Sequence, residues 1–189
     1  KRGAVLTGLA TLIICLLAVL VLSGRWAAAS CRRSSGQGVP SIILHDLDVG
    51  EKQVAFSPSY LELSTGQVAK VDIMVYNITD LCGFEFHMKF DPWVIQVMDM
   101  DTIRDEVNVE PGDFLRADYV PVNSCDNNVG TVDISLVQVG AEPRSGDGCL
   151  FSITFMAAKM GEVGFQFDEV LLADDQGASV NVTTVPPNF

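Results

Sequence analysis

The feature that most constrains this fold is the strict alternation of apolar and polar residues from residue 84 to residue 90. One parity is wholly apolar and consists of Phe84, Phe86, Met88 and Phe90. The other is wholly polar and consists of Glu85, His87 and Lys89. Because successive side chains of a strand point to opposite faces, the segment predicts a strand with one face in a hydrophobic core. The polar face is either an ordinary solvated surface or a surface that binds a partner.

Further short segments show the same one-sided pattern, and Gly, Pro, Asn and Asp separate them. Their apolar parities are Val71, Ile73 and Val75, then Val132, Ile134 and Leu136, then Phe151, Ile153 and Phe155. The sequence contains no convincing amphipathic helix of ordinary length. Strands at this spacing predict an all-β fold, an antiparallel sandwich or barrel, over residues 54–183.

The charge distribution excludes one large class of function. All 24 acidic residues follow Arg33, whereas 5 of the 12 basic residues lie at or before it. A surface that binds nucleic acid needs clustered Lys and Arg, which the acidic part of the chain lacks. We therefore expect no nucleic-acid partner.

The first thirty residues have the composition of an export segment. Two basic residues precede an uncharged run at 4–23, and small residues follow it, with cleavage expected after Ala29. Residues 1–29 are thus a cleaved signal peptide or, because the run is long enough to cross a bilayer, a retained membrane anchor. Lipidation of Cys31 is a third interpretation. In each case residues 30–53 form a spacer, the rest of the chain is secreted or at the cell surface, and membrane contact occurs only through the N-terminal segment.

Candidate catalytic and metal-binding residues are few. A catalytic or metal-binding role of His87 would need a second ligand or a nucleophile, and the only other histidine, His45, lies in the spacer. Asp99, Asp101 and Asp105 form an acidic loop that is a candidate calcium site, although the chain lacks the ligand spacing of an EF-hand. Carboxylates in the turns of a compact sandwich do not provide the facing acid pair of a glycosidase. We expect no enzymatic activity and no cofactor.

Three motifs follow one another along the chain, "GFEFHMKFDP", "LFSITFMAAKMGEVGFQF" and "DDQG". In their sequence and order they resemble a cohesin domain, the module that receives dockerin domains in cellulosome-type assemblies. The resemblance covers residues 54–182. It implies a nine-stranded jelly-roll sandwich, related to carbohydrate-binding modules, in which one sheet with strands at 83–90, 129–139 and 149–157 binds the dockerin. The side chains that it nominates are Glu85, His87, Lys89, Asp133, Ser135, Val137, Ser152 and Thr154. Calcium is expected on the dockerin partner rather than on this chain.

The cysteines depart from the cohesin pattern. Cys82 stands where cohesins often carry an aromatic residue, and Cys125 and Cys149 stand where they usually carry no cysteine. In the antiparallel sheet that the resemblance implies, Cys125 and Cys149 lie at one end and Cys82 at the other. The resemblance therefore favours a Cys125–Cys149 disulfide with Cys82 as a buried thiol. The alternative is that all three are small buried residues.

Three functional hypotheses remain. The first is an exported, non-catalytic cohesin-like module that binds a dockerin-type partner and scaffolds polysaccharide-degrading enzymes or surface proteins. The second is a carbohydrate-binding module of the same fold. It lacks an evident planar aromatic strip, since the aromatic residues off the core parity are Tyr60, Tyr76, Trp93 and Tyr119. The third is a structural cell-surface domain without dockerin binding. Residues 184–189 are interpreted as the start of a linker or as a truncated tail.

Overall fold

The structure is a computed structural model that describes residues 50–100, 106–160 and 164–187. These residues form strands, turns and loops, with no helix among them. Within the same ranges, no helix has the length and hydropathy to cross a membrane. The export segment, the spacer up to residue 49, and Asp101 and Asp105 of the predicted calcium loop lie outside the described residues. The predicted all-β fold class is confirmed for the part of the chain that the structure describes.

The described part of the chain contains nine strands, joined by turns and loops. In chain order they are β1 Gln53–Ser57, β2 Val68–Lys89, β3 Ile95–Val97, β4 Glu110–Pro111, β5 Tyr119–Asp126, β6 Thr131–Val137, β7 Arg144–Ala157, β8 Gln166–Asp174 and β9 Thr183–Val185. Strand β2 is the longest, with 22 residues, and it takes part in both layers of the fold.

Strand β2 has two arms that differ in which parity is buried. In the first arm, residues 68–76, the buried side chains are Val71, Ile73 and Val75. In the second arm, residues 83–89, the buried side chains are Phe84, Phe86 and Met88. Gly83, which has no side chain, is buried as well. Between the arms the ladder is irregular, and Asn77 and Asp80 have positive φ angles of 53° and 56°. Asn and Asp tolerate this conformation better than most residues, so the chain can bend here and enter a second sheet.

The two arms organise two sheets. In sheet I, the first arm pairs with β1 and β7, β9 lies beyond β1, and β3 and β4 pair with β7. In sheet II, the second arm pairs with β8 and β6, and β5 lies beyond β6. These pairs are antiparallel except for β1 and β9, which run parallel. That pair departs from the wholly antiparallel arrangement expected from the sequence.

Aromatic rings from both sheets meet in the core. Phe86 of sheet II makes an edge-to-face contact with Phe151 of sheet I, with ring centroids 5.1 Å apart, and Phe84 stacks on the same ring at 5.8 Å. Phe56 of β1 and Phe167 of β8 stack with centroids 4.5 Å apart. Each such pair contributes about 0.5–1.5 kcal/mol beyond the burial of its area. The sheets therefore form a sandwich, and the apolar parities predicted from the sequence line its core.

Replacement of Phe86 by Ala tests this core. The side chain is fully buried and contacts rings of both sheets, so Phe86→Ala should lower the free energy of unfolding by about 3–5 kcal/mol. Leu171→Ala, on the outer face of the same sheet, should change it by less than about 0.5 kcal/mol. Urea denaturation followed by circular dichroism measures both. Equal losses for the two variants would contradict this description of the core.

Candidate partner-binding face

The outer face of sheet II consists of the parity opposite to the core. Because paired residues on neighbouring strands lie on the same face of a sheet, the register aligns side chains in rows. One row consists of Leu171, Glu85, Ser135 and Val122. The next row consists of Glu169, His87, Asp133 and Ser124. The face thus has charged groups at its centre and apolar side chains at both edges, where Leu171 is 46% exposed and Val122 is 41% exposed.

His87 lies between two carboxylates at the centre of this face. Its Nδ1 is 2.5 Å from Asp133 Oδ1, and its Nε2 is 2.9 Å from Glu85 Oε1. We call Glu85, His87 and Asp133 the carboxylate–histidine cluster. Its side chains are between one third and one half exposed, so the cluster is accessible to a partner. The hydrogen bonds to Asp133 and to Glu85 raise the pKa of His87 above its ordinary value of 6.5, although partial burial acts in the opposite direction.

Lys89 is the third polar residue of the strand, and it is paired elsewhere. Its Nζ lies 2.9 Å from Oδ2 of Asp168 on β8. Both side chains are more than half exposed, and ion pairs of this kind add little to stability. The contact does direct the amino group of Lys89 towards β8 and away from the carboxylate–histidine cluster.

The structure brings together only some of the residues nominated from the sequence. Those on the outer face of sheet II are Glu85, His87, Lys89, Asp133, Ser135 and Val137, although Ser135 is only 9% exposed. Ser152 and Thr154 lie instead on β7 in sheet I, so the strand at 149–157 does not share the sheet of 83–90 as expected. Ser152 is only 4% exposed, and its Oγ donates a hydrogen bond to Asp72 Oδ1 at 2.6 Å. The expected single face is therefore divided between two layers.

The two flanking strands add residues to this face that were not predicted for it from the sequence. Glu169 and Leu171 come from β8, and Tyr119 and Val122 come from β5. A register shift near the start of β8 breaks the period of two, so alternation alone could not assign its outer side. In β5 a register shift around Pro121 has the same effect. The mixture of acidic and apolar residues in "DEVLLAD" was the one sequence feature that could have indicated an exposed strand beside this face.

Of the predicted calcium ligands, only Asp99 lies within the described ranges. Its Oδ1 accepts a hydrogen bond from the backbone N–H of Asn108, with the heavy atoms 3.1 Å apart. Over residues 50–100, 106–160 and 164–187, no group of three or more His, Cys, Asp or Glu side chains is placed to hold a metal ion. The calcium site therefore stays a prediction.

The expected Cys125–Cys149 disulfide is not formed in the structure. Cys125 is paired with Val132 in sheet II, whereas Cys149 is paired with Met74 in sheet I. The two sulfur atoms thus belong to different layers, and Cys149 Sγ lies 3.5 Å from the carbonyl oxygen of Phe151. Burial raises the pKa of the Cys125 thiol to about 12, so this thiol is protonated and unreactive near neutral pH.

The exposed aromatic residues do not line up as a platform for sugar rings. Trp93 follows the end of the second arm of β2, whereas Tyr119 is paired with Val137 at the other end of that arm. Tyr60 lies in the loop between β1 and β2. Stacking on several consecutive sugars needs rings along one surface, and these three are dispersed.

Comparisons with known proteins agree with this architecture. The sequence profile of the Cohesin domain family matches residues 58–188. No curated protein gives a significant match. Similar solved structures include a type II cohesin domain from the cellulosome of Acetivibrio cellulolyticus, with 18% identity over 72% of this chain and 93% of that chain and a TM-score of 0.60.

Two further structures extend this comparison. One is a type II Cohesin-X-Dockerin complex from Acetivibrio cellulolyticus, with 16% identity over 73% of this chain and 96% of that chain and a TM-score of 0.59. The other is a non-cellulosomal cohesin from the hyperthermophilic archaeon Archaeoglobus fulgidus, with 16% identity, coverage of 71% and 84%, and a TM-score of 0.51. At these identities the structural likeness shows the fold alone.

The raised pKa of His87 predicts how the stability of the free domain varies with pH. A group whose pKa is higher in the folded state stabilises the fold fully below its unfolded pKa, here about 6.5. This contribution is lost as the pH rises through the folded pKa. The stability of the native chain relative to His87→Gln should therefore fall over that window, as measured by urea denaturation from about pH 5.5 to about pH 9. Parallel curves for the two chains would contradict the contacts of His87.

Proposed function

Because this chain belongs to the cohesin domain family, we propose that the outer face of sheet II binds a dockerin domain. Cohesin domains are non-catalytic interaction modules, and one similar structure is a type II Cohesin-X-Dockerin complex. The observation that carries the proposal is a charged centre between exposed apolar edges on one four-stranded face.

The dimensions of this face suit a small helical partner. Leu171 and Val122 stand in one row at the two edge strands, three strand spacings apart, which corresponds to about 14 Å. An α-helix with its side chains is about 10–12 Å wide, so one helix fits between these two apolar contacts. In this proposal Leu171 and Val122 supply contact area, and the carboxylate–histidine cluster orients the partner and assists its approach.

The biological setting belongs to the same proposal. The uncharged run at 4–23 supports export of the domain, and the cohesin family supports a role as a receptor that gathers polysaccharide-degrading enzymes or surface proteins. Direct binding of polysaccharide is the second candidate, and the exposed ring of Trp93 is the observation in its favour.

A new charge on the outer face of sheet II tests the proposal. Leu171→Lys should weaken binding of a calcium-loaded type II X-dockerin by at least about tenfold, because a cation replaces a desolvated apolar contact. Met156→Lys is the matched control, since Met156 is also an exposed apolar residue but lies on β7 in sheet I. It should leave the affinity unchanged. Isothermal titration of the full chain in non-ionic detergent measures both.

Two outcomes would count against dockerin binding at this face. Equal losses for Leu171→Lys and Met156→Lys would show that sheet II is not the docking surface. Absence of binding to every dockerin in a panel, together with retention of the chain on cellulose or xylan, would favour the carbohydrate-binding hypothesis. In that case retention should be lost in Trp93→Ala.

A further inference from the structure

The carboxylate–histidine cluster has a geometry that only one protonation state of His87 can satisfy. Both ring nitrogens of His87 lie within hydrogen-bonding distance of carboxylate oxygens, one from Asp133 and one from Glu85. A neutral imidazole carries a single N–H, whereas the imidazolium ion carries two. With both carboxylates ionised, the neutral ring places a nitrogen lone pair against an oxygen lone pair. Loss of the proton therefore releases one of the two carboxylates.

Most of the charged side chains around His87 are carboxylates, so loss of its proton changes the charge of the outer face. On β8 its register neighbour is Glu169, and Asp168 directly precedes Glu169 on the same strand. On β6 it faces Asp133, whose neighbour on β5 is the neutral Ser124.

On its own strand His87 is flanked by Glu85 and Lys89, and the amino group of Lys89 is paired with Asp168. Protonated His87 thus offsets part of the negative charge of Glu85, Asp133 and Glu169. Loss of its proton makes the centre more acidic.

We propose that the partner of this face presents a basic side chain, Lys or Arg, to Glu85 and Asp133, and that this side chain competes with the proton of His87 for the two carboxylates. The inference rests on the proposed function and specifies the chemistry of the partner. A guanidinium or ammonium group donates hydrogen bonds to carboxylates as an imidazolium does. The partner's cation therefore takes over the contacts that the imidazolium makes in the free domain.

Competition of this kind sets the sign of the pH dependence. Binding of the basic group favours the deprotonated ring, so association releases a proton. The affinity should rise with pH, by up to about tenfold per pH unit below the pKa of His87, and should level off above it. The free domain should show the opposite trend, because the same deprotonation removes stability from it. Partial unfolding of the domain would make affinity and stability fall together. An affinity that rises with pH while the stability of the free domain falls therefore indicates competition.

Two variants separate the effect of His87 from the titration of the partner. The full chain and its His87→Gln variant are titrated with the same calcium-loaded type II X-dockerin from about pH 5.5 to about pH 8.5. A glutamine side chain does not take up a proton in this range, so His87→Gln should bind more tightly than the native chain at acidic pH. The difference between them should vanish at alkaline pH. Glu85→Gln and Asp133→Asn should each weaken binding at alkaline pH by at least about fivefold.

Superimposable pH profiles for the native chain and His87→Gln would overturn the inference. A native affinity that falls relative to the variant as the pH rises would also overturn it, since the partner group would then be acidic.

A second measurement needs no partner. Nuclear magnetic resonance follows the ring protons of His87, which are assigned as the histidine signal lost in His87→Gln. The midpoint of the His87 titration should lie above pH 6.5 in the native chain. It should move to lower pH in Asp133→Asn and in Glu85→Gln. An unshifted midpoint in both variants would overturn the cluster itself. Absence of dockerin binding at every pH would instead overturn the proposed function, and with it the competition, while leaving the titration result intact.

Discussion

The contact between Phe86 and Phe151 is the constraint on which the outer surface of sheet II depends. It packs the second arm of β2 against sheet I and so determines which parity of that arm faces inward. A slip of one residue would exchange the faces of the whole strand and would bury Glu85 and His87 in an apolar core. The polar surface is therefore held in place by aromatic packing beneath it, and its own ion pairs contribute little to that placement.

Periodicity predicted the faces of the strands but could not identify their neighbours. The core parities around Phe86 and Phe151 are buried as the alternation indicated. Alternation is equally consistent with several strand orders, so it could not show that β7 joins the first arm of β2 and the second arm joins β6. The expectations for Ser152 and for a Cys125–Cys149 disulfide both depended on the strand order that the resemblance implied, in which the strand at 149–157 shares the sheet of 83–90.

The centre of the candidate site could be predicted from the sequence more fully than its edges. Glu85 and His87 lie on a regular strand, where the period of two holds. Leu171 and Tyr119 lie on strands with register shifts, where a single extra residue reverses the side to which later residues point. The contacts of His87 with Asp133 were also beyond reach, because they join residues 46 positions apart whose alignment depends on the β2–β6 register.

The edges of sheet II limit how any other molecule can associate with it. One edge strand, β5, carries Pro121, which has no backbone N–H to donate, and the other, β8, carries a bulge with the charged residues Asp168 and Glu169. Proline, bulges and charges at sheet edges block the addition of a further strand. Recognition by β-augmentation, which reads mainly the backbone, is thereby disfavoured at this sheet. A partner that binds this sheet as proposed contacts the side chains of its outer face, so substitution of surface residues can change the choice of partner without any change to the strand ladder.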